Sequence, residues 1–221
     1  MEIRSLENAL FEKWSETKDS FVKDGLINED AWKNSKIKVQ FILKEANSPE
    51  GGLTDLRDFV AKGGRSQTWD NVSRWSHGIT HLDKEINWNE IKNISEDFRK
   101  ENLKSICVVN LKKAPGGHTT SNEKLREEAM LDKKHLIEQL RLYHDANIII
   151  CCGSGVSGLF HELQDDYHDY KWECTKRGMW YQKIGENKFL FNFLHPEVRI
   201  GTFDNILFYG LIDSIKEVLN R

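Results

Sequence analysis

Three short stretches of the chain carry side chains able to do chemistry. The first holds Glu45 and Asn47, in Lys44-Glu45-Ala46-Asn47-Ser48-Pro49-Glu50-Gly51-Gly52, directly after the apolar end of residues 36–43. A carboxylate at the end of a buried run is costly unless it is used or paired, and Lys44 and Lys112 are the cations able to pair it. The second is Asn110, which closes Ser105-Ile106-Cys107-Val108-Val109-Asn110. An amide there can read the edge of a base with one donor and one acceptor, or can tie down a loop. The third is His195, which ends Phe189-Leu190-Phe191-Asn192-Phe193-Leu194 and precedes Pro196. It is either a packed core residue or a hydrogen-bond donor in a site.

These stretches share a pattern. The chain has three prolines, Pro49, Pro115 and Pro196, and each follows an apolar run. A proline stiffens a loop just past a strand, where a rigid loop can hold polar groups. In open α/β sheets ligands bind beyond the carboxyl ends of the strands, so parallel strands would bring the three loops together. Prolines also collect in turns for no other reason.

Further residues join this set. Gly153-Ser154-Gly155-Val156-Ser157-Gly158 matches the glycine fingerprint between a strand and a helix. The acidic residue expected about 20 positions later is Glu173 by spacing, but it lies in an aperiodic segment. The turn reads as an anion-binding helix start or as close helix–strand packing. The basic, glycine-rich loop of Lys112, Lys113, Gly116, Gly117 and His118 suits a phosphate backbone, and a solvated surface loop would look the same. Trp69 can stack on a planar ligand or fill the core.

The elements that must position these residues can be read from periodicity. Residues 3–24 have apolar residues at near-helical spacing, with Gly25 as the stop. Residues 36–43 alternate through Ile37, Val39 and Phe41 and become continuously apolar, as in a parallel strand. A short helix spans residues 54–60 and ends at Gly63-Gly64. Thr68 is the expected N-cap of a helix that puts Trp69, Val72, Trp75 and Ile79 on one face. Residues 86–103 read as further helix, 105–111 as a buried strand, and 112–120 as a loop. Ser121 opens a long helix to about residue 144. Residues 147–152 form a strand, followed by two turns of helix, a loop over 164–177 and a hairpin of 180–184 with 188–194. A last helix covers 202–219. Strands separated by helices predict a three-layer α/β/α fold with a central, mostly parallel sheet. One domain is expected over residues 1–221, with 1–35 as a helical extension and 36–221 as the core.

Composition narrows the function classes. A net charge of −3 gives no global nucleic-acid signal, so any nucleic-acid partner must meet a local basic face. No stretch is long and apolar enough to span a membrane, so the expected location is the cytoplasm, with no membrane partner. The four cysteines, Cys107, Cys151, Cys152 and Cys174, form no C-x-x-C pair and read as buried thiols rather than as a metal site.

Taken in order, four stretches resemble the uracil-DNA glycosylase superfamily, nearest to its bacterial and archaeal branches. They are LKEANSPEGG, VVNLKKAPGGHTTSNEKL, NIIICCGSGVSGLF and FLHPEVR, within residues 36–215. The chain departs from the family pattern at Lys44, Asn47 and Glu197, where glycine, proline and a small serine are usual. It also lacks the iron–sulfur cysteines. The resemblance implies a DNA glycosylase that needs no metal or cofactor, acts on DNA as a monomer, and serves repair or defence against foreign DNA. The altered first loop points beyond plain uracil to a damaged or modified base. Under the resemblance Glu45 stabilises a sugar cation and orients water, with Asn47 as the other water-positioning group, and His195 donates to the departing base. Asn110, Ala46 and Trp69 bind that base, while Lys112, Gly116, Gly117, His118, Ser154 and Arg199 contact DNA. A free-nucleotide enzyme and a non-catalytic nucleic-acid-binding module are the alternatives.

Overall fold

Alternation along the strands sorts the apolar residues onto two faces of one sheet. In the computed structural model, which describes residues 2–48, 52–117, 120–164, 170–199 and 204–220, the central strands are β2 (Val39–Asn47), β3 (Ile106–Gly116), β4 (Ile148–Cys152) and β7 (Lys188–Phe193). Val39, Phe41, Val108, Ile150 and Phe191 pack on one side, and Ile42, Cys107, Val109, Ile149 and Leu190 on the other. Because both faces are covered, the strands are apolar almost throughout.

The first face is covered by α3 (Leu56–Ala61), α4 (Ser66–Thr80), α6 (Glu96–Leu103) and α10 (Asp204–Leu219), with the short α5 (Trp88–Ile91) beside them. The second is covered by α1 (Ile3–Ser15), α2 (Glu29–Asn34), α7 (Asn122–Leu131), α8 (Lys133–Arg141) and α9 (Val156–Leu163). Three further strands, β1 (Gly25–Leu26), β5 (Glu173–Cys174) and β6 (Trp180–Gly185), complete a sheet of order β1-β3-β2-β4-β7-β6-β5. The pairs β3–β2, β2–β4 and β4–β7 are parallel, and β1, β6 and β5 join antiparallel. This is the expected three-layer α/β/α architecture. No helix among the described residues is long and apolar enough to cross a membrane. Cys107, Cys151 and Cys152 are buried free thiols, whereas Cys174 is exposed.

Several boundaries differ from the periodicity reading, most of them because a tertiary partner intervenes. The strands expected to end at residues 43 and 111 continue: Glu45 pairs with Lys112 and Asn47 with Gly116, so residues 44–47 and 112–116 are strand rather than loop. The first helix stops at Ser15 rather than near residue 24. The chain beyond it runs alongside β3, with Val22 N–H donating to the Lys113 carbonyl, and Phe21 reaches Phe11 and Trp14 from there. The first 35 residues are therefore more than a helical extension, since they supply β1. The helix expected over 121–144 is broken at buried Asp132, which pairs with Lys18 at 2.7 Å. Residues 86–103 form two short helices, capped by Asn87 and Ser95. The N-cap before Trp69 is Arg65, not Thr68, whose hydroxyl is engaged elsewhere.

One glycine fixes how the N-terminal segment docks. Gly25 has φ +125°, and a Cβ there would lie 2.2 Å from Glu7 Oε1 and 2.4 Å from the Tyr143 hydroxyl. Glu7 is fully buried and accepts from Leu26 N–H, Tyr143 and Arg57. Burial nevertheless raises its carboxyl above the ordinary range. Gly25→Ala is therefore expected to destabilise the protein, by roughly 1 to 3 kcal/mol from backbone strain alone. Chemical denaturation of the two proteins side by side measures it, and Ala elsewhere on the surface should cost far less.

Candidate functional site

The carboxyl ends of β2, β3, β4 and β7 surround one cavity of about 340 Å³. Its lining includes Glu45, Ala46, Asn47, Trp69, Asn110, Gly117, Gly153, Ser154 and His195. The parallel sheet thus brings together residues that lie far apart in the chain.

Glu45 sits deep in this wall. Its Oε2 accepts from Lys112 Nζ at 2.5 Å and from the Thr120 hydroxyl at 3.2 Å, while Oε1 has no partner among the described residues. Lys112 is 6% exposed and Glu45 7%, so this is a buried ion pair. Of the two cations considered at the outset, Lys112 is the partner; Lys44 Nζ turns to Asn122 Oδ1 at 2.8 Å. Gly116 lies against the carboxylate, where a Cβ would come within 2.0 Å of the Glu45 carboxyl carbon. Two residues on, Asn47 presents a buried Oδ1 with no hydrogen-bond partner among the described residues.

His195 lies half-buried across the cavity. The backbone N–H of Glu197 donates to its Nδ1 at 3.2 Å, so the neutral ring carries its proton on Nε2. Burial lowers the imidazole below its ordinary value, Glu197 pulls it up, and Lys44 adds to the lowering. The ring is therefore neutral at pH 7 and offers an N–H.

The His195 loop is braced by α4. Asn71 Nδ2 donates to the carbonyls of Pro196 and Val198, and Arg74 holds the Asn71 oxygen at 2.8 Å. Glu197 Oε1 accepts from Thr68 at 2.6 Å and Arg65 at 2.8 Å. Burial would raise this carboxyl, but Thr68, Arg65 and His195 outweigh it and hold it below the ordinary range. Trp69, on the same helix, is 4% exposed and packs against Gly64, where a Cβ would meet Cδ1 at 2.3 Å. It is at once a core residue and a cavity wall.

Asn110 is 1% exposed and lines the cavity. Its backbone N–H and its Nδ2 both donate to Asp24 Oδ2, at 2.7 and 3.2 Å, and its Oδ1 has no partner. Asp24 is fully buried and also accepts from Lys113 Nζ at 2.6 Å and Gln139 Nε2 at 2.7 Å. Burial lowers the Lys113 ammonium from its ordinary value, against the pull of Asp24.

Of the other expected contacts, Gly117 and Ser154 are exposed at the cavity. Gly116 serves Glu45, and Lys112 is an internal counter-ion rather than a surface cation. Arg199 is exposed, but its guanidinium donates to the Pro196, Val198 and Gln67 carbonyls. His118 and Pro49 lie outside the described residues. Gly153 and Gly155 have φ +101° and +79°, so the turn needs them. A Cβ at Gly158 would meet nothing, so the third glycine serves no close packing. Glu173 belongs to the β5 edge strand and accepts from Tyr181, away from the glycine turn. No group of three or more His, Cys, Asp or Glu among the described residues could hold a metal ion.

Sequence reasoning missed Asp24, Asn71, Arg74 and Thr120. Asn71 and Arg74 carried one readable signal: each directly precedes an apolar position of the helix's core face, Val72 and Trp75.

No protein-family model matches the chain, and no curated protein matches it either.

The His195 ring should titrate below 6.5, the ordinary histidine value. Its neutral form is favoured by the fold, so the stability it contributes is complete above 6.5 and is lost as pH falls below that. NMR of the ring proton reads the midpoint. Glu197→Gln removes the charge that raises it and should move the midpoint lower still.

Proposed function

We propose that the chain is a DNA glycosylase, a divergent relative of the uracil-DNA glycosylase superfamily, which hydrolyses the N-glycosidic bond of a base in DNA and leaves an abasic site. The observation that carries this reading is the pairing, on one cavity, of a carboxylate oxygen and a neutral imidazole N–H, neither with a partner among the described residues. The cavity suits a single extruded base, which must leave the stack before its glycosidic bond can be reached.

Cleavage of that bond leaves the electron pair on the base and builds positive charge on the sugar. The free Glu45 oxygen stabilises that cation, as carboxylates do in glycoside hydrolysis. Asn47 Oδ1 accepts from the attacking water, whose oxygen bonds to the sugar carbon and whose proton passes to Glu45. His195 Nε2–H donates to the base as its negative charge grows, a preorganised contribution of roughly 3 to 4 kcal/mol. Trp69 and Ala46 wall the base, and Asn110 reads its edge. Gly117, Ser154 and Arg199, with Lys44 and Arg65 nearby, meet the DNA backbone. The protein acts as a monomer in the cytoplasm under this reading.

The decisive experiment is base release from DNAs containing uracil, other deaminated bases and modified cytosines, with free base detected by mass spectrometry. Glu45→Gln and His195→Gln are each expected to lower release by about a hundredfold or more. The thermal midpoint should stay near the parent's in His195→Gln and fall in Glu45→Gln, which leaves the buried Lys112 ammonium without its counter-ion. Gly116→Ala should follow Glu45→Gln, because its Cβ displaces the carboxylate. Unchanged release in both Glu45→Gln and His195→Gln would overturn the assignment. Binding of free nucleotides without any DNA chemistry would favour a nucleotide enzyme instead.

A further inference from the structure

The buried polar atoms on the cavity wall that lack a partner are both acceptors, Asn47 Oδ1 and Asn110 Oδ1. An unpaired buried acceptor is expensive, and a ligand that brings a donor removes the cost. An asparagine amide normally settles this by turning over, which would offer its NH2 group instead. Asn110 cannot do so. Asp24, a carboxylate with only acceptors, takes both its backbone N–H and its Nδ2. Turning the amide would set its oxygen against the Asp24 oxygen. Lys113 and Gln139 hold Asp24 in turn, and all three side chains are fully or almost fully buried. A third acceptor lines the same cavity: Glu197 gives Oε1 to both Thr68 and Arg65, and its Oε2 has no partner among the described residues.

From this we infer that Asp24 is a positioning residue that sets specificity, and that the base taken is an amino-bearing one rather than one whose edge carries carbonyls. The inference rests on the reading of the cavity as a base pocket. An exocyclic amino group has two hydrogens to give to acceptors such as the Asn110 oxygen and the Glu197 carboxylate. A carbonyl in its place meets a fixed oxygen and a negative charge. The substrate class is an amino-substituted pyrimidine or purine in DNA.

The test compares paired DNAs that differ by an exocyclic amino group against a carbonyl, such as a 5-substituted cytosine against the matching uracil and adenine against hypoxanthine. The parent protein should release the amino member with kcat/KM at least about tenfold higher, the scale of one good hydrogen bond kept or lost. In Asp24→Asn the amide is free to turn, and the ratio should fall toward one. The double variant Asp24→Asn/Lys113→Met removes the stranded ammonium and should show the same fall. A purely structural Asp24 would lower both members equally and leave the ratio unchanged, which would overturn the positioning role. Preference for the carbonyl member would overturn the substrate class.

Should no DNA release a base, the glycosylase reading fails and binding decides the inference alone. Cytosine against uracil, and adenine against hypoxanthine, are titrated as free bases into the parent protein, with tryptophan fluorescence and the Asn110 side-chain amide signal as readouts. Tighter binding of the amino bases supports the inference without the chemistry. Equal or reversed binding, or none, sinks it. The same titration settles the matter if the variants do not fold.

Discussion

Parallel pairing between β2 and β3 does not stop where their apolar residues stop. It carries on through Glu45 opposite Lys112 and Asn47 opposite Gly116, and the rest of the site follows from that. A carboxylate on an ordinary loop would need a separate device to hold it still. Here the ladder fixes the backbone, the neighbouring strand supplies the counter-ion, and a residue without a side chain leaves room for the carboxyl group. The ion pair is not a source of great stability, since desolvation offsets most of the attraction between buried charges. Its effect is to keep one oxygen occupied and the other open.

The two polar groups that face Glu45 across the cavity are braced independently. The His195 loop hangs from α4 through Asn71, Thr68 and Arg65. Asn110 is fixed from the opposite direction by Asp24, which the N-terminal segment brings in along β3. A disturbance on one side need not reach the other. Rigid supporting contacts of this kind let a polar group keep one orientation without a ligand to define it.

Much of this was legible in the chain. Apolar runs ending in polar residues located the central strands, and the parallel arrangement they implied placed Glu45, Asn110 and His195 on one edge. What the sequence hid was partnership across distance. Lys112 could be read both as a counter-ion of Glu45 and as a cation facing DNA, and only the register of two strands joins it to a carboxylate 67 residues away. Asp24 gave no signal at all, sitting between Lys23 and Gly25 where the spacing predicts the end of a helix. Helix ends were misjudged where a tertiary bond outbids local spacing, as at Thr68, which serves Glu197 rather than capping its own helix.

Lys112 and Lys113 are consecutive, yet strand geometry sends one to Glu45 and the other to Asp24. The second arrangement has a consequence for synthesis. Asp24 leaves the ribosome before its partners Lys113 and Gln139, which follow 89 and 115 residues later. Until they emerge, Asp24 has no partner to dock against. The segment around Asp24 therefore settles against β3 only after α8 has been made.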